Sequence, residues 1–194
     1  YSCKQKLDMM RPKVDENRCS IIFYGYIRYF EQLGLLYSYA AIRSDVQVYI
    51  YGGPEVEYIK FMGIKETLPN FIYMGPYIYE KDIASILSKA DFIYSVYDAT
   101  QPNVQVALPN KLYEAAYTGI PILVAEDTYL SEVVVAGSMG YCLPYQQSNF
   151  SRFSKHLDKC ISIDKAKSLM RGKCFIDSLN NQDRLFMSFL LEQI

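Results

Sequence analysis

Tryptophan is absent from the 194-residue chain, and histidine occurs once, at His156. A single imidazole in a polar stretch makes neither a histidine-based metal site nor the base of a Ser-His-Asp triad, and His156 reads as a surface residue. The cysteines, Cys3, Cys19, Cys142, Cys160 and Cys174, are odd in number and scattered, with no CxxC pair. That argues against a disulfide framework or a zinc site and predicts free, buried thiols in a reducing compartment. An excess of either charge is also missing: 20 Lys and Arg stand against 21 Asp and Glu, a formal net charge of -1. A nucleic-acid footprint normally needs a basic surplus. No run approaches the roughly 18 apolar residues of a membrane span, and no signal-peptide pattern is visible. The first residue is Tyr1 rather than Met, so the chain is expected to begin inside a longer protein.

Tyrosine, by contrast, is abundant, with 19 copies. Many stand where a strand would place Val or Ile, as in Ile21-Ile22-Phe23-Tyr24, and read as strand and core filler. Apolar runs of strand length recur at Ser20 to Ile27, Val46 to Tyr51, Asn70 to Met74, Phe92 to Val96 and Pro121 to Ala125, with a short one near Tyr141. Helical stretches fall between them, over Tyr29 to Ile42, Glu55 to Met62, Lys81 to Lys89, a helix opened by Leu108-Pro109 and ended by Gly119, and Leu130 to Ala136. From Phe150 onward the pattern is mostly helical, and Tyr97 to Gln105 reads as a polar loop. Strands apolar on both faces that alternate with helices predict a Rossmann-like parallel sheet flanked by helices, with a helical C-terminal tail. In such folds ligands sit outside the carboxyl ends of the strands. That draws attention to Gly25 to Arg28, Gly52-Gly53, Gly75 to Tyr79 and Tyr97 to Glu114.

The stretch Leu108 to Ala125, LPNKLYEAAYTGIPILVA, carries the most chemistry. Pro109 suits the first helical position, and the amides of Asn110, Lys111 and Leu112 after it have no intrahelical partners. A helix start with free amides is an anion site. Lys111 and Glu114, three apart, put an ammonium beside a carboxylate that can accept two sugar hydroxyls. An isolated KxxE on a helix is ordinarily a solvated ion pair. Here the helix follows a long loop at a strand end, which favours function.

This stretch resembles the signature of the family 4 (group 1) glycosyltransferases of GT-B architecture: Pro, Lys, Glu, small residues, Gly, then Pro and an apolar strand. IIFYGYIR, VYIYGG, NFIYMGPY and KADFIYSVY resemble the family's first four strands, and SEVVVAGSMGYCLP the segment after the fifth. Together they cover about Cys19 to Pro144. The resemblance implies the donor-binding, C-terminal half of a retaining enzyme that transfers a hexosyl group from a nucleotide sugar, with UDP favoured over GDP. No metal and no cofactor beyond the donor is implied. Glu114 would bind the ribose diol, Arg28 and Lys111 the diphosphate, Gly75 and Tyr77 would lie by the base, and Gly25 and Leu112 would belong to the same nucleotide-sugar site. Arg28, Lys111 and Glu114 would form the catalytic set. The family commonly has two glutamates spaced E-x7-E, but the position eight before Glu114 is Val106. Asp98, Asn103 and Gln105 are the nearby candidates for contacts to the sugar.

Residues 1–18 are expected to be an inter-domain linker, 19–176 the nucleotide-sugar domain, and 177–194 a helix that packs on a missing N-terminal domain. That domain would bind a saccharide or lipid-linked acceptor in polysaccharide biosynthesis, and without it the chain should be inactive. The expected location is cytoplasmic, with peripheral association of the parent protein at the inner membrane face; no nucleic acid is implied. A sugar epimerase of the same architecture would need more acids and His. A non-catalytic nucleotide- or partner-binding module is the reading that the lost first glutamate keeps open.

Overall fold

A computed structural model describes residues 18–167. The elements run β1 (Cys19–Tyr24), α1 (Phe30–Ile42), β2 (Val46–Tyr51), α2 (Glu55–Met62), β3 (Phe71–Gly75), α3 (Tyr79–Leu87), β4 (Phe92–Ser95), α4 (Pro102–Val106), α5 (Asn110–Thr118), β5 (Ile122–Ala125), α6 (Tyr129–Ala136) and β6 (Gly140–Leu143). A 3-10 turn at Gln147–Asn149 then leads into α7 (Phe150–Lys167). The strands form one six-stranded sheet in the order β3-β2-β1-β4-β5-β6, and every pairing is parallel.

Each strand at the centre is buried on both faces, which is why Ile and Val run without alternation. One face packs Ile21, Phe23, Val48, Ile50 and Tyr94 against Leu33, Leu36 and Tyr39 of α1, Phe61 of α2, and Phe153 and Leu157 of α7. The other packs Ile22, Tyr24, Ile93, Ile122 and Val124 against Ile83 and Ile86 of α3, Leu112 and Ala116 of α5, and Val134 of α6. The order in which strands are added reverses between β1 and β4, so the connections leaving their carboxyl ends go to opposite faces and leave a crevice there. The rim is drawn tight at Gly25 and Gly52. The Gly25 N–H donates to the Tyr51 carbonyl at 3.0 Å, and a Cβ on Gly52 would stand 1.9 Å from the Gly25 carbonyl oxygen. Only glycine allows that approach.

The expected elements are present, with shifts at their ends. β1 stops at Tyr24 rather than Ile27, because Gly25 leaves the strand at φ 120. Pro109 lies one position earlier than expected, as the extended N-cap of α5 rather than its first helical residue. The loop expected over Tyr97 to Gln105 holds the short helix α4. There the Asp98 carboxylate accepts from the Thr100 N–H at 3.0 Å, the Thr100 hydroxyl at 2.7 Å and the Gln101 amide at 3.0 Å, and Val104 is buried. Cys19 and Cys160 are buried thiols, Cys142 is a half-buried one, and His156 is exposed. The segment expected as a linker, apart from Arg18, and the helix expected at 177–194 lie outside the described residues. Among the described residues no helix is long and apolar enough to cross a membrane.

Candidate functional site

A cleft of about 400 Å³ opens at the carboxyl ends of β1 and β4. Its walls come from the loops after β1, β3 and β4 and from the start of α5. Glu114 lies one turn into α5, because Leu112, Ala115 and Ala116 turn to the sheet and leave Glu114 facing the end of β1. Glu114 is only 5% exposed. Each oxygen accepts one tyrosine hydroxyl: Tyr24, the last residue of β1, donates to Oε2, and Tyr79, the first residue of α3, donates to Oε1. Burial, and then the charge of Glu114, hold the Tyr24 hydroxyl far above its ordinary ionisation range. Tyr24 is buried, whereas Tyr79 is 40% exposed.

Lys111 shares the helix with Glu114 but does not pair with it. Both side chains are buried, so the solvated ion pair ordinary for a KxxE spacing is not formed. The Lys111 ammonium instead enters an aromatic cage, 4.4 Å from the Phe23 ring centre, 5.0 Å from Tyr24 and 5.2 Å from Tyr97. It donates to the Tyr97 hydroxyl at 2.8 Å and reaches the Tyr94 carbonyl at 3.4 Å. Burial pushes the Tyr97 hydroxyl up, but the Lys111 charge and hydrogen bond, the nearby Ser95 hydroxyl and the Arg28 charge outweigh it. The net effect is to hold Tyr97 below its ordinary range. Ser95 Oγ is itself buried and makes no hydrogen bond of good geometry.

The expected site residues divide accordingly. Gly25, Arg28, Tyr77, Lys111 and Glu114 all line the cleft. Arg28 is exposed, with its guanidinium 5.3 Å from the Tyr26 ring centre and 5.8 Å from that of Tyr29. Tyr77 meets Tyr24 edge to face at 6.4 Å. Gly75 is not on the cleft wall; its carbonyl accepts the Gly52 N–H at 2.8 Å and closes the rim between β2 and β3. Leu112 is not on the wall either. Its side chain is in the core and its N–H already donates to the Pro109 carbonyl at 3.0 Å, which leaves the amides of Asn110 and Lys111 at the helix start. Val106, at the position of the missing glutamate, points outward at 70% exposure. Of the nearby candidates only Asn103 lines the cleft, Asp98 being committed to α4 and Gln105 exposed beyond it. Tyr24, Tyr79, Tyr97 and Ser95 line the cleft as well; the sequence puts Tyr79 and Tyr97 in the stretches just after strands but assigns none of the four a role of its own. The available signal was their position, at or just after the strand ends. Among the described residues no group of three or more His, Cys, Asp or Glu is placed to hold a metal ion.

A parallel sheet with its cleft at the reversal of strand order, walled by a helix start, a buried acid and basic residues, defines a Rossmann-like domain of the GT-B kind. The chain belongs to the group 1 glycosyl transferases, whose sequence model matches residues 5–172. Solved structures agree on the fold. HepE of Anabaena, in complex with UDP-glucose, superposes with a TM-score of 0.62 at 15% identity over 89% of this chain and 49% of its own. WaaG, a glycosyltransferase involved in lipopolysaccharide biosynthesis, gives 0.56 at 13% identity over 84% and 43%. UDP-GlcNAc 2-epimerase from Neisseria meningitidis, bound to UDP-GlcNAc, gives 0.53 at 15% identity over 92% and 48%. The chain thus spans about half the length of these proteins. No curated protein sequence matches it.

Proposed function

We propose that this domain binds the nucleoside diphosphate of a sugar donor, with UDP preferred over GDP, and serves a retaining glycosyltransferase. The observation that carries this reading is Glu114: a buried carboxylate on the cleft wall that takes two hydroxyls, each on a different oxygen, and no salt bridge among the described residues. A ribose diol offers the same pair of donors. The start of α5 and the exposed Arg28 give the diphosphate its positive surroundings, and Lys111 adds buried charge beneath it. Cleavage of the sugar–phosphate bond leaves negative charge on the diphosphate, and these fixed groups are arranged to stabilise it. The sugar goes to a saccharide or lipid-linked acceptor held by a second domain, and the reaction uses no metal.

Calorimetry and thermal shift with UDP, GDP and ADP test this reading on the 194-residue chain. Ligand at about a hundred times its dissociation constant should add roughly 2.7 kcal/mol, and EDTA should leave the effect unchanged. No response to any of the three at millimolar concentration defeats the reading, and loss of binding in EDTA defeats its metal-free form. One observation favours a second reading, a non-catalytic nucleotide-binding module: among the described residues lining the cleft, Glu114 is the only carboxylate. Donor hydrolysis or transfer by the full-length protein separates the two.

A further inference from the structure

The diphosphate reading leaves open how Lys111 acts, because it lines the cleft yet its ammonium is buried among rings and already donates to Tyr97. It is 6% exposed and enclosed by Phe23, Tyr24 and Tyr97. The hydroxyl that takes up that charge belongs to Tyr97, a half-buried residue of the same cleft wall. An ammonium only donates hydrogen bonds, so at 2.8 Å it occupies the acceptor side of the Tyr97 oxygen. The Tyr97 proton is thereby directed elsewhere, and the ammonium polarises the O–H into a stronger donor. A diphosphate oxygen only accepts. Ser95, buried on the same wall with no hydrogen bond of good geometry, adds a second hydroxyl within the same space.

Resting on the reading of the cleft as a diphosphate site, we propose that the Tyr97 hydroxyl donates directly to the diphosphate and that Lys111 acts through it. Tyr97 is then a catalytic residue that touches the leaving group, and Lys111 a positioning residue that orients and charges it. As negative charge grows on the diphosphate, the Tyr97 hydrogen bond strengthens without any proton having to transfer.

The titratable and charged groups facing Tyr97 are Lys111 on α5, Arg28 after β1, Tyr24 at the end of β1 and Tyr77 after β3. Tyr24 and Tyr77 are both held above the ordinary range by burial, so Tyr97 ionises before either. Ionised, it has no proton to give and adds a like charge to the site. Binding of UDP should therefore weaken as pH rises through a tyrosine ionisation that falls below the ordinary value of about 10.

The experiment is calorimetry with UDP and with uridine, from pH 7 to 10, on the wild-type chain, Tyr97→Phe and Lys111→Met. At pH 7 Tyr97→Phe should bind UDP about tenfold more weakly and uridine unchanged. Wild-type affinity for UDP should fall above the early ionisation, the Tyr97→Phe profile should stay flat through it, and Lys111→Met should move the fall upward. Equal UDP binding by Tyr97→Phe and wild type, or parallel pH profiles for the two, overturns the proposal while wild-type UDP binding keeps the diphosphate reading. Should Tyr97→Phe not fold, the wild-type and Lys111→Met profiles decide: a fall at the same pH in both overturns it. If wild type binds no UDP, GDP or ADP at any pH, the diphosphate reading fails and this proposal with it.

Discussion

Two tyrosine–carboxylate clusters sit at opposite ends of the sheet, and they treat their acids differently. At the amino end, the Tyr39 hydroxyl of α1 donates to Asp158 of α7 at 2.6 Å, and Arg43 reaches the same oxygen as a salt bridge. Burial and then the Asp158 hydrogen bond raise the Tyr39 hydroxyl far out of its ordinary range. Charge is neutralised on the spot, and the cluster ties two helices together. At the carboxyl end, Glu114 takes hydroxyls from Tyr24 and Tyr79, while the nearest cation on its own helix, Lys111, is turned away onto Tyr97. A buried acid held by neutral donors can exchange them for other neutral donors. Asp158 instead shares its charge with Arg43, a guanidinium that Asp45 also holds through two hydrogen bonds at 2.8 and 2.7 Å, so its pairing is already complete. The difference teaches which cluster is structural and which is built to be used.

Removing each acid breaks the comparison most strongly. Glu114→Ala should weaken a ribonucleoside diphosphate by at least about a hundredfold, since two charge-assisted hydrogen bonds of about 1.5–3 kcal/mol each are at stake. It should also lose most of the preference for ribo- over 2′-deoxyribonucleoside diphosphates. Asp158→Ala should leave binding unchanged and lower stability by about 1 kcal/mol, a small loss because the Asp158 side chain is 45% exposed. Calorimetry and denaturant melts of both variants read this out. If Asp158→Ala weakens the nucleotide as Glu114→Ala does, the division between the two ends is wrong.

Arg28→Ala sharpens the comparison with an intermediate effect. Arg28 is exposed on the cleft wall and touches neither acid, so its loss should spare folding. Binding of a nucleoside diphosphate should fall about tenfold and that of the bare nucleoside should not. Equal losses for both ligands would mean that Arg28 shapes the cleft rather than reading the diphosphate.

The amino end of this contrast was hidden in the sequence and the carboxyl end half visible. The sheet was legible because parallel strands covered on both faces write themselves as unbroken apolar runs, and Gly and Pro punctuate them. Glu114 and Arg28 were legible because strand order puts the residues after β1 and β4 at one crevice. The direction of the Lys111 side chain was not. Residues three apart on a helix share a face, but the space that Phe23, Tyr24 and Tyr97 enclose exists only once β1 and β4 lie side by side. The role of Tyr24 escaped for a similar reason, since a tyrosine at a strand end reads like one in mid-strand until the acid 90 residues away is in place. Tyr79 lay in a flagged loop, but its pairing with an acid 35 residues away was equally invisible. The helix α4 was missed because its signal is short, a proline at its start and one buried side chain, Val104.

The smallest expected effect concerns Tyr79, the one partner of Glu114 able to step aside. Tyr24 is 3% exposed in the core, whereas Tyr79 is on the surface at the head of α3, whose start is fixed independently by the Ile78 N–H donating to Asp82 at 2.8 Å. A ribose reaching Glu114 must take the place that the Tyr79 hydroxyl fills. While that contact is shut the site is not competent, and apparent affinity drops by the fraction of time it stands open. Tyr79→Phe keeps the ring and removes the competing hydroxyl. If the contact is open about a fifth of the time, UDP should bind about fivefold more tightly to the variant. In the Glu114→Ala background the same substitution should change nothing, because there is no longer an acid to compete for. Inorganic pyrophosphate, which has no diol, should bind wild type and Tyr79→Phe alike. A tighter complex that persists without Glu114 would instead place Tyr79 against the base or the phosphates. A weaker one would make its hydroxyl a ligand contact, and either result removes the competition between tyrosine and ribose on which this end of the molecule is read.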